Sequence, residues 1–286
     1  MKTVLTIAGF DPSSGAGVTA DLMVFAAHGL FGTAAITALT VQSTLGVAAT
    51  HPVDAAVLRE TLDCLSADLP PSGVKIGITA TSANILAISR YIASLQVELS
   101  VSYAPPIVLD PILASSSGRV LLDPEAVDAL KTELLPLVDW VTPNIDELAV
   151  LTGLTVGSPA DLLAAARALQ TQVNGRSRPS PPEGTEPQDK RIGVFAKGGH
   201  LDKPDDLLLT PSGEEHWLSG ERIETSATHG TGCALSSGFL CGLVLGHPPL
   251  EAARNAKHYV AEAMRQAPAI GSGKGPMQLL WPLRST

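Results

Sequence analysis

GFDPSSGAGVTADL, residues 9–22, follows the apolar run 4–8 and closes on Gly15-Ala16-Gly17-Val18-Thr19-Ala20. That ending fits the relaxed dinucleotide pattern G-x-G-x-x-G/A, and strand, glycine loop, helix is the context the pattern demands. Read this way, the stretch opens a series. Residues 4–8, 33–40, 74–76, 107–109, 140–141 and 192–196 are short apolar runs, several β-branched and bounded by Gly or Pro, and are predicted strands. Helical patterns fall between them at 16–28, 53–69, 82–96, 124–135, 145–151 and 159–170. The alternation predicts an α/β fold, a mostly parallel central sheet with helices on both faces. Residues 207–210 and 215–218, joined by Pro211-Ser212-Gly213-Glu214, predict a hairpin, and 231–245 and 250–267 two C-terminal helices. No internal repeat is visible, and one domain over 1–286 is expected. Within it, NGRSRPSPPEGTEPQDK (174–190) is polar and proline-rich. It lacks the apolar surface that would offset ordering and reads as a surface insertion.

Composition narrows the function classes. Of 286 residues, 45% are hydrophobic and 16% charged, which suits a sheet covered by helices. The net charge of −9 argues against a general nucleic-acid or anionic-membrane surface, though a locally positive pocket for a small anion is compatible with it. Cys64, Cys233 and Cys241 show neither metal-ligand spacing nor an even disulfide framework, and the histidines form no H-x-x-x-H pair. With no signal-peptide pattern and no membrane-length apolar stretch, a soluble cytoplasmic protein with reduced thiols is expected.

A dinucleotide site needs an acidic residue at the end of the second strand. No Asp or Glu lies between Asp21 and Asp54; Gln42 stands near that place. Asp21 would also repel a pyrophosphate, so Gly15 and Gly17 are read as shaping a strand-to-helix turn. A better anion site is Thr228-His229-Gly230-Thr231-Gly232-Cys233, ahead of an apolar helix, where free N–H groups favour negative charge. Cys233 falls in the first turn, where the helix dipole favours thiolate. Lys197-Gly198-Gly199, Val108-Leu109-Asp110 and Val141-Thr142-Pro143-Asn144-Ile145-Asp146-Glu147 each end a predicted strand, at the edge where open α/β sheets bind ligands. Asp110, Asn144 and Glu147 can therefore converge on a metal–phosphate site, with Lys197 adding positive charge. Gly273-Lys274-Gly275 lacks the Ser/Thr and the earlier glycine of a P-loop.

Together TIAGFDPSSGAG, TALTVQSTLGV, VLDPILASSSG, VTPNIDEL, KGGHL, THGTGCALSS and NAKHYV, in this order over nearly the whole chain, resemble bacterial hydroxymethylpyrimidine/phosphomethylpyrimidine kinases of the ribokinase-like superfamily. The resemblance implies a three-layer ribokinase-like fold. It also implies phosphorylation of 4-amino-5-hydroxymethyl-2-methylpyrimidine by ATP with Mg²⁺, then of its monophosphate, for thiamine. By the same resemblance Gly9, Asp21, Gln42, Ile78 and Val108 surround the pyrimidine, and Asp110, Thr142, Asn144, Glu147, Lys197, Gly199 and Lys257 serve ATP and Mg²⁺, with Asp110 and Glu147 nearest the metal. Gly230, Thr231, Gly232 and Cys233 form the anion hole, with Cys233 where sugar kinases carry their base. A homodimer is expected. The chain differs from the family pattern at Ile78 near the ring (usually Met) and at Ser116 (often Lys), Lys274 and Leu279 (usually His); the missing lysine and terminal histidine bear on the second phosphorylation. A pyridoxal kinase of the same superfamily and a catalytically silent metabolite-binding protein are the competing readings.

Overall fold

Local sequence and sheet order agree in the computed structural model, which describes residues 1–98, 104–115, 118–174, 191–199, 201 and 203–284. The elements are β1 (Thr3–Phe10), α1 (Gly17–Ala27), β2 (Phe31–Ser43), β3 (Gly46–Pro52), α2 (Ala55–Asp68), β4 (Val74–Ile76), α3 (Ser82–Glu98), β5 (Ile107–Leu109), α4 (Ala126–Ala129), β6 (Trp140–Val141), α5 (Ile145–Thr152), α6 (Pro159–Asn174), β7 (Gly193–Ala196), β8 (Asp206–Leu209), β9 (Glu215–Leu218), α7 (Thr231–Leu245) and α8 (Pro249–Arg265). The strands hydrogen-bond in the order β3-β2-β1-β4-β5-β6-β7-β8-β9. From β2 to β7 the neighbours are parallel. β3 is antiparallel at one edge, and β8 and β9 at the other.

Alternation along the strands builds a layer on each face. Leu5 and Ile7 of β1, with Ile107 and Leu109 of β5, pack against residues of α2, α3, α5 and α6 such as Leu58, Ile88, Leu148 and Leu162. Val4 and Val108 point the other way, into Phe25 of α1, Phe239 of α7 and Ala256 of α8. α7 is apolar on nearly all sides and almost wholly buried. It can lie so close to α8 because Gly242 has no Cβ to collide with Ala252. Among the described residues, no helix is long and apolar enough to cross a membrane.

Two sequence expectations are corrected here. β3 lies where no strand was expected, because GVAATHP is made mostly of small residues, lacks an apolar alternation and has no buried position, and pairing with β2 supplies what composition does not. The helix expected at 124–135 is only the short α4, followed by a π turn at Leu130–Leu134 and a 3₁₀ turn at Leu135–Leu137. Pro136 has no N–H to carry an α-helical ladder onward. Of the expected insertion 174–190, Asn174 ends α6 and the rest lies outside the described residues.

Candidate active site

The first glycine loop is filled by its own chain. Asp11, just past β1, accepts hydrogen bonds from the Ser13 N–H at 2.8 Å, the Ser13 hydroxyl at 2.7 Å and the Ala16 N–H at 2.9 Å. The loop's donors thus serve a carboxylate instead of a phosphate. Gly17 has φ +63° and a Cβ there would overlap the Gly9 carbonyl; a Cβ on Gly15 would overlap the His229 ring. Gly230, at φ +77°, sits against the Gly15 carbonyl with no space for a side chain. The glycines therefore let the two loops touch.

The second loop caps α7. Gly230 is its N-cap residue, and the first-turn N–H groups have no acceptor within the helix. Beside it, at the ends of β5 and β7, Lys197 Nζ donates to Asp110 Oδ1 at 2.7 Å and stands 3.7 Å from Glu147 Oε2. The Thr142 hydroxyl adds a 3.2 Å bond to the same Asp110 oxygen. Asp110 Oδ2 is buried and has no hydrogen-bond partner among the described residues. It lies 3.9 Å from the position a Cβ on Gly232 would take, so the orphaned oxygen faces the glycine loop. Glu147 also closes a capping box on α5: the Asn144 N–H donates to its carboxylate at 2.7 Å, and its own N–H donates to Asn144 Oδ1 at 2.8 Å. Burial pushes the Glu147 carboxyl up to about 7; Lys197 opposes this and Asp110 adds to it. Burial disfavours the Lys197 ammonium, but Asp110 and Glu147 overcome it and raise its pKa above the ordinary lysine range.

Two clefts meet at this loop. One, of ≈ 590 Å³, carries Gly9, Gln42 and Ile78 on one wall and Asp110, Asn144 and Glu147 on another, with Lys197, Gly199 and Gly230 to Cys233 between them. The other, of ≈ 890 Å³, shares Lys197, Gly199, Thr231 and Gly232 and continues to Lys257. Lys257 Nζ donates to the Pro204 carbonyl at 2.9 Å and to Asp206 Oδ2 at 2.5 Å. The opposite oxygen of Asp206 accepts the Gly198 N–H at 2.8 Å, fixing the turn after Lys197.

Three expected site residues stand behind the walls. Val108 is packed under α7, and Thr142 is buried beneath Asp110. Asp21 is fully buried and accepts from the Thr6 hydroxyl at 2.6 Å, the Ser237 hydroxyl at 2.7 Å and Lys75 Nζ at 2.9 Å. Lys75, also fully buried, is the member of that pair that lines the first cleft. The expectation of a lowered Cys233 pKa is corrected: burial pushes its thiol up to about 11, because desolvation outweighs the pull of the Lys75 ammonium and the Asp110 and Asp21 carboxylates add to the rise. Sequence reading also missed Lys75, Asp11 and His229. A lysine inside the buried strand VKI was the available signal for the first, since unpaired lysine is almost never buried.

Residues 11–278 match the family described as phosphomethylpyrimidine kinase. The chain belongs to the phosphomethylpyrimidine kinase family. It is 36% identical over 281 residues to the hydroxymethylpyrimidine/phosphomethylpyrimidine kinase of Haemophilus influenzae, covering 96% of each chain. Its fold matches the phosphomethylpyrimidine kinase of Clostridium difficile 630 with TM-score 0.74 and 32% identity, over 92% of this chain and 99% of that one. A pyridoxal kinase from Staphylococcus aureus in complex with ADP matches with TM-score 0.81 and 28% identity, over 100% of this chain and 96% of that one. The backbone is nearer the pyridoxal kinase and the side chains nearer the phosphomethylpyrimidine kinases. Acceptor choice rests on side chains, so the identity carries more weight. The family's ribokinase-like, three-layer fold is the one observed.

Proposed function

We propose that this kinase transfers the γ-phosphoryl group of ATP to the hydroxymethyl oxygen of 4-amino-5-hydroxymethyl-2-methylpyrimidine, and then phosphorylates the monophosphate to the pyrophosphate used for thiamine. The observation that carries the reading is the junction of the two clefts at Lys197 and the Thr231–Gly232 turn. An acceptor in the first cleft and a nucleotide in the second would meet there. Gly9 leaves room for a flat ring, with Ile78 Cδ1 3.3 Å from where its Cβ would be. Gln42 supplies neutral hydrogen bonding to the ring. Asp21 acts on the acceptor side through Lys75, and Val108 supports α7 from below. On the donor side Lys257 and Gly199 hold the nucleotide, Asn144 seats Glu147 through the capping box, and Thr142 holds Asp110 in place.

Asp110 and Glu147 fit a Mg²⁺ ion. The unpartnered Asp110 Oδ2 offers a free carboxylate oxygen, and Mg²⁺ in phosphoryl-transfer sites takes one or two carboxylates and completes its shell with water and phosphate. When bound, the ion supplies charge neutralisation on the phosphates. Lys197 and the first-turn N–H groups of α7 stabilise the negative charge spread over the transferring group, the main demand of its loose transition state. In this reading Cys233, which lines the first cleft, takes the hydroxymethyl proton. It does so from the thiolate form, which the Lys75 ammonium favours and burial disfavours.

Acceptor-dependent ADP release, measured with the pyrimidine alcohol, its monophosphate and pyridoxal, tests the reading. Turnover of both pyrimidines with the higher kcat/KM is the expected result. A strong preference for pyridoxal would favour the second reading, which the nearer backbone match to a pyridoxal kinase supports; no turnover with any acceptor would favour the silent one. We also read the chain as one cytoplasmic kinase domain that pairs as a homodimer. The described cysteines are free, and Leu39, Val41 and Leu45 lie exposed along β2 and the turn to β3. Sedimentation at micromolar concentration checks the pairing.

A further inference from the structure

His229 Nε2 lies 2.7 Å from Asp11 Oδ2 and 2.9 Å from Gln42 Nε2. One ring nitrogen cannot donate to a carboxylate and accept from an amide at once. Asp11 accepts only: burial raises its pKa, but hydrogen bonds from His229 and Ser13 overcome this and hold it below the usual carboxylate range. The proton between Asp11 and His229 therefore sits on Nε2, and the amide atom facing His229 must be an acceptor. At the amide's other end the Thr40 hydroxyl, 3.1 Å from Gln42 Oε1, already has the Phe10 carbonyl to donate to at 2.9 Å. Its lone pair is best met by an N–H. Both ends ask for the same half-turn of the amide, a freedom of any Gln side chain.

We propose that Asp11 and His229 are positioning residues that set the polarity of the Gln42 amide, with carbonyl toward His229 and N–H toward Thr40, so that the acceptor cleft reads the order of donor and acceptor along the substrate's ring edge. Asp11, Thr40, Gln42 and His229 all line that cleft. A 4-aminopyrimidine edge presents an amine donor beside an unprotonated ring nitrogen; a 4-oxopyrimidine edge presents the reverse. An amide held in one orientation pairs fully with one edge and sets like against like on the other. The glycines at 15 and 230 bring His229 against the first loop, so the pair also registers the acceptor loop against the phosphate loop.

The inference rests on the proposed pyrimidine kinase activity, and the test separates the two. Steady-state kcat/KM is measured for 4-amino-5-hydroxymethyl-2-methylpyrimidine and its 4-oxo analogue in the wild type, Asp11→Asn and Thr40→Val, each first shown to be folded by thermal melting. In Asp11→Asn the carboxylate that fixes the Nε2 proton is gone. An amide N–H toward Nε2 gives up the Ala16 N–H bond to that position, and an amide oxygen there is a weaker acceptor, so the requirement that Nε2 carry the proton is relaxed. The amino-over-oxo preference should then fall by about tenfold or more, as expected for one mispaired buried polar contact. Thr40→Val releases the other end of the amide and should lower the same ratio, and it decides the matter if Asp11→Asn does not fold. A preference unchanged within about threefold in folded variants, with both substrates slowed equally, would overturn the proposal, because a merely structural role lowers both rates alike. Wild-type inactivity on both pyrimidines would instead refute the function reading beneath it.

Discussion

Lys75→Met tests the buried charge beneath the acceptor cleft. Lys75 and Asp21 are both fully buried, 2.9 Å apart, and their network joins β4, α1, β1 through Thr6 and α7 through Ser237. Removing the lysine leaves the Asp21 carboxylate in the interior with two neutral hydroxyl donors. Breaking one side of a buried ion pair costs about 3–5 kcal/mol. The remaining Thr6 and Ser237 bonds favour the lower end, about 3 kcal/mol, which corresponds to a melting-point fall of roughly 6–12 °C at the usual 2–4 °C per kcal/mol for larger domains. The Lys75 pKa is raised: burial alone would lower it, and Asp21 with Cys233 and Asp110 more than reverses that. A raised lysine stabilises fully below its ordinary 10.5 and loses the contribution only as pH climbs through its higher folded value. The gap between wild type and variant should therefore stay constant from about pH 6 to 9. Urea and thermal unfolding of Lys75→Met, Asp21→Asn and the double variant supply the cycle. The double variant should recover at least about 2 kcal/mol of the summed single losses, because no bare charge remains. A single loss below about 1 kcal/mol, or strict additivity, would refute the reasoning, since both mean that the pair is not coupled in the interior.

Three further outcomes are expected. With burial pushing the Cys233 thiol up to about 11, a thiolate base predicts kcat rising about tenfold per pH unit from 7 to 10, and Cys233→Ala should be flat with pH and about 10²–10⁴-fold slower; a flat wild-type profile with near-normal turnover in the Ala variant removes the cysteine from proton transfer. Asp110→Asn should raise the Mg²⁺ concentration for half-maximal rate at least about tenfold in a MgCl₂ titration, and an unaltered dependence takes Asp110 out of metal binding. Deleting residues 175–190 should leave KM for ATP within about twofold, because α6 ends at Asn174 and β7 begins at Gly193, at the end of that strand opposite Lys197; a large rise would assign the segment to the nucleotide.

What the sequence made legible depended on how local the cause was. IVL and WV were found to the residue, because central parallel strands are buried on both faces and read as continuous apolar runs; VKI was found as well, from the β-branched residues on either side of Lys75. α7 was placed correctly from its glycine start and apolar run. β3 was invisible because its strand character comes from its partner. Site residues followed the same division. Asp110, Asn144, Glu147 and Lys197 each follow a strand end, so sheet topology alone brings them together. The burial of Asp21 and the raised Cys233 thiol come from packing among distant segments. A helix start is readable along the chain, but the desolvation that opposes it is not.

The first glycine loop shows where a local motif stops being diagnostic. Gly15 and Gly17 have the spacing of a dinucleotide cradle, and the strand–turn–helix context is present. Yet the N–H groups of Ser13 and Ala16 end on Asp11, the residue immediately after β1 and four residues before Gly15, outside the pattern itself but in the same turn. A carboxylate there competes with a phosphate for the same donors and repels it, so one acidic side chain decides between a loop open to an anion and a loop already satisfied. The second loop has no such residue between His229 and Cys233, and the carboxylate oxygen facing Gly232, Asp110 Oδ2, is left without a hydrogen-bond partner among the described residues. Glycine spacing says how closely a group can approach a backbone. The charge inside the turn says whether that group is a phosphate or the chain itself.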